Sequence, residues 1–151
     1  MLTLAIIKPD AVAARTTGKI LAHLEQAGFV IRAARLVALT QRQAEAFYAV
    51  HRERPFFGGL VDFITSSPLV ALVLEGPDAI AVVRTINGAT RPNQAAPGTI
   101  RGDFALETAQ NLVHASDGPE TAAMELALWF RPDELHGYER DVDRWVLAPE
   151  E

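Results

Sequence analysis

Four short apolar runs, Leu2 to Ile7, Phe29 to Leu39, Leu69 to Leu74 and Asn111 to His114, constrain the fold more than any other feature. Runs of this length suit buried strands, and none approaches the roughly 20 apolar residues that a membrane-spanning helix requires. The first is closed by Lys8-Pro9-Asp10, where proline cannot continue strand pairing, so Lys8 is expected at the end of a buried strand. Ile20, Leu21, Leu24 and Ala27 then recur at helical spacing before Gly28, a helix stop. After the second run, Thr40-Gln41-Arg42-Gln43 matches a capping box and opens a helix carrying Phe47 and Tyr48. A further short helix is expected over Phe56 to Ile64, following Pro55. Beyond the third run, Pro77 reads as the first residue of a helix whose apolar stripe is Ala79, Val82, Val83 and Ile86 and whose stop is Gly88. Residues 88 to 104 read as a long irregular loop. The segment Ser116-Asp117-Gly118-Pro119-Glu120 reads as the start of a last helix, running to about Phe130. Arg131 to Glu151, with Tyr138 and Trp145, reads as a tail over the surface.

Without its insertions this order is β-α-β-β-α-β, the split βαβ arrangement in which helices cover one face of a small antiparallel sheet. At 151 residues the whole chain, 1–151, fits one domain. Cysteine is absent, which excludes disulfides and thiolate metal sites, and the reducing cytoplasm is the simplest compartment consistent with that. The first eight residues have no basic segment before the apolar run and read as a strand, not a signal.

Net charge is -5, whereas a general nucleic-acid binder normally shows a basic balance. The exception is local: between Arg84 and Arg101 there are three arginines and no acid, which suits an anion. That anion is not held by a P-loop. The nearest candidate, Gly18-Lys19-Ile20, has Ala13 where the first glycine belongs and no hydroxyl after the lysine. A Gly-x-Gly-x-x-Gly fingerprint and a protein-kinase catalytic loop are also missing. Phosphate binding must therefore use side chains.

His114 is the candidate nucleophile, since it ends an apolar strand just before a helix start, and a neutral imidazole can attack phosphorus. A lone histidine at a strand end is more often simply packed there, so its neighbours decide. Glu125 falls on or beside the apolar stripe of the last helix, where a carboxylate could orient the histidine or merely reach water. Lys8, Arg84 and Arg101 could clamp a transferring phosphoryl group, or could be solvated surface cations. Thr90 and Asn111 could add neutral hydrogen bonds, and Phe56 with Phe57 could offer a stacking face or belong to the core. His23, His51 and His136 show no metal-ligand spacing with His114.

Over nearly its whole length the chain resembles the nucleoside diphosphate kinases. The resemblance rests, in order and without gaps, on TLAIIKPDAV from Thr3, RPFFGGLVDFITSSPLVALVLEG from Arg54, GATRP from Gly88, APGTIRGDF from Ala96 and NLVHASDGPETAAMELALWF from Asn111. It implies a ferredoxin-like α/β fold with an inserted helical hairpin and a long phosphate-binding loop. It implies a ping-pong transfer in which a nucleoside triphosphate, mainly ATP, phosphorylates His114 and an acceptor diphosphate then takes the phosphate. Glu125 would bond the histidine ring with Ser116 nearby, and Lys8, Tyr48 and Asn111 would surround the site. Arg84, Thr90 and Arg101 would hold phosphates, and Phe56 with Leu60 would contact the base. Mg2+ would be required, carried by the nucleotide phosphates and not by protein ligands. A homo-oligomer, tetramer or hexamer, is also implied.

Three positions depart from the family pattern: Ala115 stands for a usual glycine, Gly118 for a usual serine and Arg91 for a usual asparagine. A catalytically weak nucleotide-binding regulatory protein of the same fold is the alternative, with Ala115 as its reason. A nucleic-acid-binding domain of this fold would want a positive balance and aromatics on the sheet face.

Overall fold

The computed structural model describes residues 1–105 and 111–140; Trp145 and the rest of the expected tail from 141 onward lie outside the described residues. Four strands, β1 (Leu2–Ile7), β2 (Val30–Val37), β3 (Leu69–Glu75) and β4 (Val113–Ala115), form one sheet in the order β2-β3-β1-β4. All neighbouring pairs are antiparallel. The helices are α1 (Pro9–Ala13), α2 (Thr17–Gln26), α3 (Gln41–Phe47), α4 (Phe57–Ile64), α5 (Ala79–Asn87), α6 (Ile100–Phe104) and α7 (Pro119–Trp129). This is the ferredoxin-like α/β arrangement, with α3 and α4 as the inserted hairpin.

The alternation of side chains along β1 explains how one sheet organises two cores. Ala5 and Ile7 face Ile20 and Leu24 of α2, Val83 of α5 and Ile100 of α6. Leu4 and Ile6 face the other way, toward Ala44 of α3, Val61 and Ile64 of α4, and Trp129. Both faces of the sheet are therefore covered, not the one face expected: the crossover helices cover one, and the inserted hairpin with α7 covers the other. This is why Thr3 to Ile7 are buried without a break and read as a continuous apolar run.

The capping box forms as expected: Thr40 Oγ1 accepts from the Gln43 amide, and Gln43 Oε1 from the Thr40 amide. Gly28 and Gly88 hold φ of 97° and 86°, backbone that only glycine adopts without strain, and end α2 and α5.

Other local expectations are corrected. Pro77 is not the first residue of α5; it lies in a turn, and the helix opens after Asp78, at φ 48°. The segment 88–104 is not irregular throughout, since Pro92–Gln94 forms a 3-10 turn and Ile100–Phe104 forms α6, capped by Thr99 Oγ1. The last strand begins at Val113 because Leu112, at φ 74°, turns the backbone out of the ladder. The described part of the tail follows β2, where His136 N donates to Arg32 O at 2.8 Å and Tyr138 Oη to Ile31 O at 2.7 Å.

Candidate active site

Residues opposed in an antiparallel ladder project to the same face, and His114 is opposite Ile6. Its imidazole is thus directed toward α3 and α7. Glu125, past the middle of α7, places Oε2 2.7 Å from His114 Nε2, while its Oε1 accepts the Ser116 hydroxyl at 2.6 Å. Ser116 is fully buried, and the side chains of His114 and Glu125 are 25% and 12% exposed. A carboxylate already accepting from a hydroxyl is an acceptor for the imidazole as well. This network assigns the ring hydrogen to Nε2 and leaves the Nδ1 lone pair free. Phe47 packs edge-on against the imidazole at 5.1 Å between ring centres and against Trp129 at 5.4 Å, so the ring is braced by the core.

In the same cavity Arg101 is anchored on backbone oxygens. Arg101 donates from Nε to Asn111 O at 3.3 Å, from Nη1 to Gly88 O at 2.9 Å and from Nη2 to Val113 O at 2.7 Å. One guanidinium therefore ties α6 to the end of α5 and to β4, and two of its five N–H groups remain for a ligand. Gly102 makes this possible by close approach: a Cβ there would lie 2.1 Å from Ala96 O. Lys8 Nζ donates to Asn111 Oδ1 at 2.8 Å, and Asn111 Nδ2 donates to Thr90 O at 3.2 Å.

Among the described residues, Lys8, Arg84 and Arg101 have no ion-pair partner. Burial, then the neighbouring Arg101, lowers the Lys8 ammonium to a pKa of about 8, with Asp10 opposing the shift. Burial, then Arg84, lowers Arg101 to about 10. Tyr48 is raised to about 12 by burial and by Glu125, so its hydroxyl stays a donor at neutral pH. Cations crowded together against their own preference form a site that an anion relieves.

These groups line a cavity of about 1160 Å³ that includes Lys8, Tyr48, Arg84, Thr90, Arg101, Asn111, His114 and Glu125. A smaller cavity of about 220 Å³, between β2, α3 and α7, contains none of them. Phe56 and Leu60 are not part of the large cavity's lining. Phe56 stands outside, 52% exposed, with its ring 5.5 Å from His51, which does line the cavity. Sequence reasoning missed the roles of Phe47 and Gly102. Phe47 was visible only as half of an aromatic pair, and Gly102 makes a contact that no local pattern reports.

A family model, nucleoside diphosphate kinase, matches residues 2–135. The chain belongs to the nucleoside diphosphate kinase family. It is 57% identical over 134 residues to the nucleoside diphosphate kinase of Bordetella avium, an alignment covering 89% of this chain and 95% of that one. The enzyme of Thermomicrobium roseum is 50% identical over 146 residues, covering 97% and 98%. Among solved structures, a halophilic nucleoside diphosphate kinase from Halobacterium salinarum in complex with CDP superposes with a TM-score of 0.94 at 41% identity, covering 98% and 99%. The activity is therefore that of a nucleoside diphosphate kinase, a phosphotransferase that moves the terminal phosphoryl group of a nucleoside triphosphate to a diphosphate.

The departures from the nucleoside diphosphate kinase pattern fit this backbone. Ala115 lies within β4, opposite Ala5, and is not among the residues of positive φ, so its methyl group meets no backbone strain. Gly118 is the N-cap of α7 in extended backbone with open space at the Cβ position. Glycine in place of serine at such a cap costs only about a few tenths of a kcal/mol. Arg91 is exposed at the N-cap of the 3-10 turn. The regulatory alternative, which rested on Ala115, loses its support.

Proposed function

We propose that His114 is the residue through which this kinase passes the phosphoryl group, by a ping-pong mechanism. The observation that carries the reading is the Ser116–Glu125–His114 relay, which fixes Nε2 and leaves Nδ1 facing a cavity walled by cations. In the first half-reaction the Nδ1 lone pair attacks the γ-phosphorus, an N–P bond forms, and the bond from phosphorus to the β,γ-bridging oxygen breaks, with its electrons leaving on the nucleoside diphosphate. The Nε2 hydrogen stays shared with Glu125, whose charge stabilises the developing imidazolium. In the second half-reaction a terminal oxygen of an acceptor diphosphate attacks the same phosphorus and the N–P bond breaks.

Lys8, Arg84 and Arg101, with the hydroxyls of Tyr48 and Thr90 and the Asn111 amide, are assigned to the phosphates, where charge moves between donor and acceptor oxygens. Phe56, beside the cavity-lining His51, and Leu60, on α4, are assigned to the nucleobase. Contact through an apolar face without base-edge hydrogen bonds makes acceptor choice broad and leaves ATP, the abundant triphosphate, as main donor. Among the described residues no group of three His, Asp or Glu side chains could hold a metal. We therefore assign Mg2+ to the nucleotide's own phosphate oxygens, where it would neutralise charge on the transferring group. The chain acts as one domain, with the segment from 131 as its tail, in a cytoplasmic homo-oligomer, tetramer or hexamer. Light scattering on the eluting protein measures that assembly. Among the described residues no helix is long and apolar enough to cross a membrane.

The chemistry is tested with γ-labelled ATP and magnesium followed by GDP. The wild type should acquire acid-labile phosphate and then yield labelled GTP. Retention of that transfer by His114→Ala would overturn the assignment of His114, and a wild type that binds nucleotide without turnover would establish the regulatory reading instead.

A further inference from the structure

Leu112 is the most constrained residue in the site, and Asp10 holds it there. With φ of 74° Leu112 adopts left-handed backbone that a leucine avoids, and it does so between Asn111, which meets Lys8, and Val113, which leads to His114. Such a corner persists only where its surroundings over-determine it. Both of its backbone groups are pinned by the turn after β1: Asp10 Oδ2 accepts from Leu112 N at 3.0 Å, and Leu112 O accepts from Lys8 N at 2.8 Å. The same three residues thus join β1, α1 and the segment leading into β4, next to the cavity-lining Lys8 and Asn111.

The other Asp10 oxygen, Oδ1, is buried and has no hydrogen-bond partner. An amide would satisfy Leu112 equally well with less desolvation, so the charge itself needs a use. The charged and titratable groups around Lys8 supply one. Arg101 approaches from α6 with Arg84 behind it on α5, Tyr48 and the His114–Glu125 pair line the cavity from α3, β4 and α7, and Asp10 on α1 is the acid that favours the Lys8 ammonium.

We propose that Asp10 is a positioning residue of this kinase, clamping the left-handed Asn111–Leu112 corner through one carboxylate oxygen and keeping Lys8 charged through the carboxylate's negative charge. The inference rests on the phosphohistidine reading above, because it assumes that Lys8 and Asn111 face the transferring phosphate.

The test uses two full-length variants assayed for phosphoryl transfer from ATP to GDP, with circular dichroism and thermal melting to confirm folding. Asp10→Ala removes clamp and charge, and is expected to lower kcat at least tenfold. Asp10→Asn keeps the acceptor for Leu112 N and loses the charge, so its kcat/KM should exceed that of Asp10→Ala at pH 7. Its activity should also decline at a lower pH than the wild type on the alkaline side. Because the asparagine variant preserves the shape, it decides the matter even if the alanine variant does not fold. The proposal is overturned if Asp10→Ala has wild-type turnover or if Asp10→Asn shows the wild-type pH profile. Failure of the underlying reading is distinguishable, since then the wild type itself would not form acid-labile phosphoenzyme.

Discussion

At the scale of single residues the site is governed by one carboxylate with two partners. Glu125 accepts from the Ser116 hydroxyl and from His114 Nε2, so it sets both the tautomer and the orientation of the imidazole. Glu125→Gln keeps the size of the side chain but removes the charge that stabilises an imidazolium, and its amide can meet the ring with either an oxygen or an N–H. Where the N–H is presented, Nε2 becomes the acceptor, the ring hydrogen moves to Nδ1, and the nucleophile is blocked. We expect kcat for transfer to fall by roughly 10²-fold, the usual scale for a misplaced proton in acid–base catalysis, while the KM for ATP changes little because the cations assigned to the phosphates are untouched. Steady-state kinetics at saturating ATP and GDP check this; an unchanged kcat would remove Glu125 from the mechanism. This geometry was only half legible in the sequence. Glu125 stood out as a carboxylate on or beside an apolar stripe, but two outcomes fit that pattern equally, and only the packing of α7 on β4 chose between them.

Among elements, the connection between α5 and β4 carries the most information. Sequence patterning offered a long irregular loop there, yet it contains a 3-10 turn and α6, whose Arg101 is joined to Gly88, Asn111 and Val113. Short helices of this kind have little propensity to form alone, and their stability comes from tertiary contacts. Gly102 shows how tight those contacts are. Gly102→Ala would place a methyl carbon 2.1 Å from Ala96 O and 2.7 Å from Thr99 Oγ1, so backbone must move. Overpacking of this kind typically costs about 1–3 kcal/mol. Displacing α6 also withdraws Arg101 from the site. The expected result is a lowered melting temperature together with a raised KM for nucleotide, seen by calorimetry and steady-state kinetics. A variant with wild-type Tm and KM would show that the connection is looser than described.

Considered as a whole, the molecule gathers unfavourable positive charge in its large cavity. Lys8 titrates at about 8 in the folded chain against 10.5 for an ordinary lysine. Between those values the unfolded chain binds more protons, so this group's contribution to stability rises with pH from about 8 upward, and its destabilising effect is fully present below that. A bound phosphate reverses the preference by favouring the ammonium. Stabilisation by ADP should therefore be largest at neutral pH and decline as pH rises through 8, with proton uptake on binding above that pH. Titration calorimetry in buffers of different ionisation enthalpy measures this directly, and proton-neutral binding at pH 9 would contradict it. Local sequence pattern was enough for the four strands, the helices between them other than α1 and α6, the capping box, the glycine stops, and the presence of a histidine and a cluster of cations. Each of these depends on residues close in the chain, through periodicity, φ preference or charge. Only the tertiary structure decided that the second sheet face is covered, that Leu112 turns left-handed under Asp10, and that Arg101 joins three segments. Those outcomes depend on backbone groups about ten to a hundred residues apart meeting within hydrogen-bond distance, and no local pattern encodes which carbonyl a guanidinium will reach.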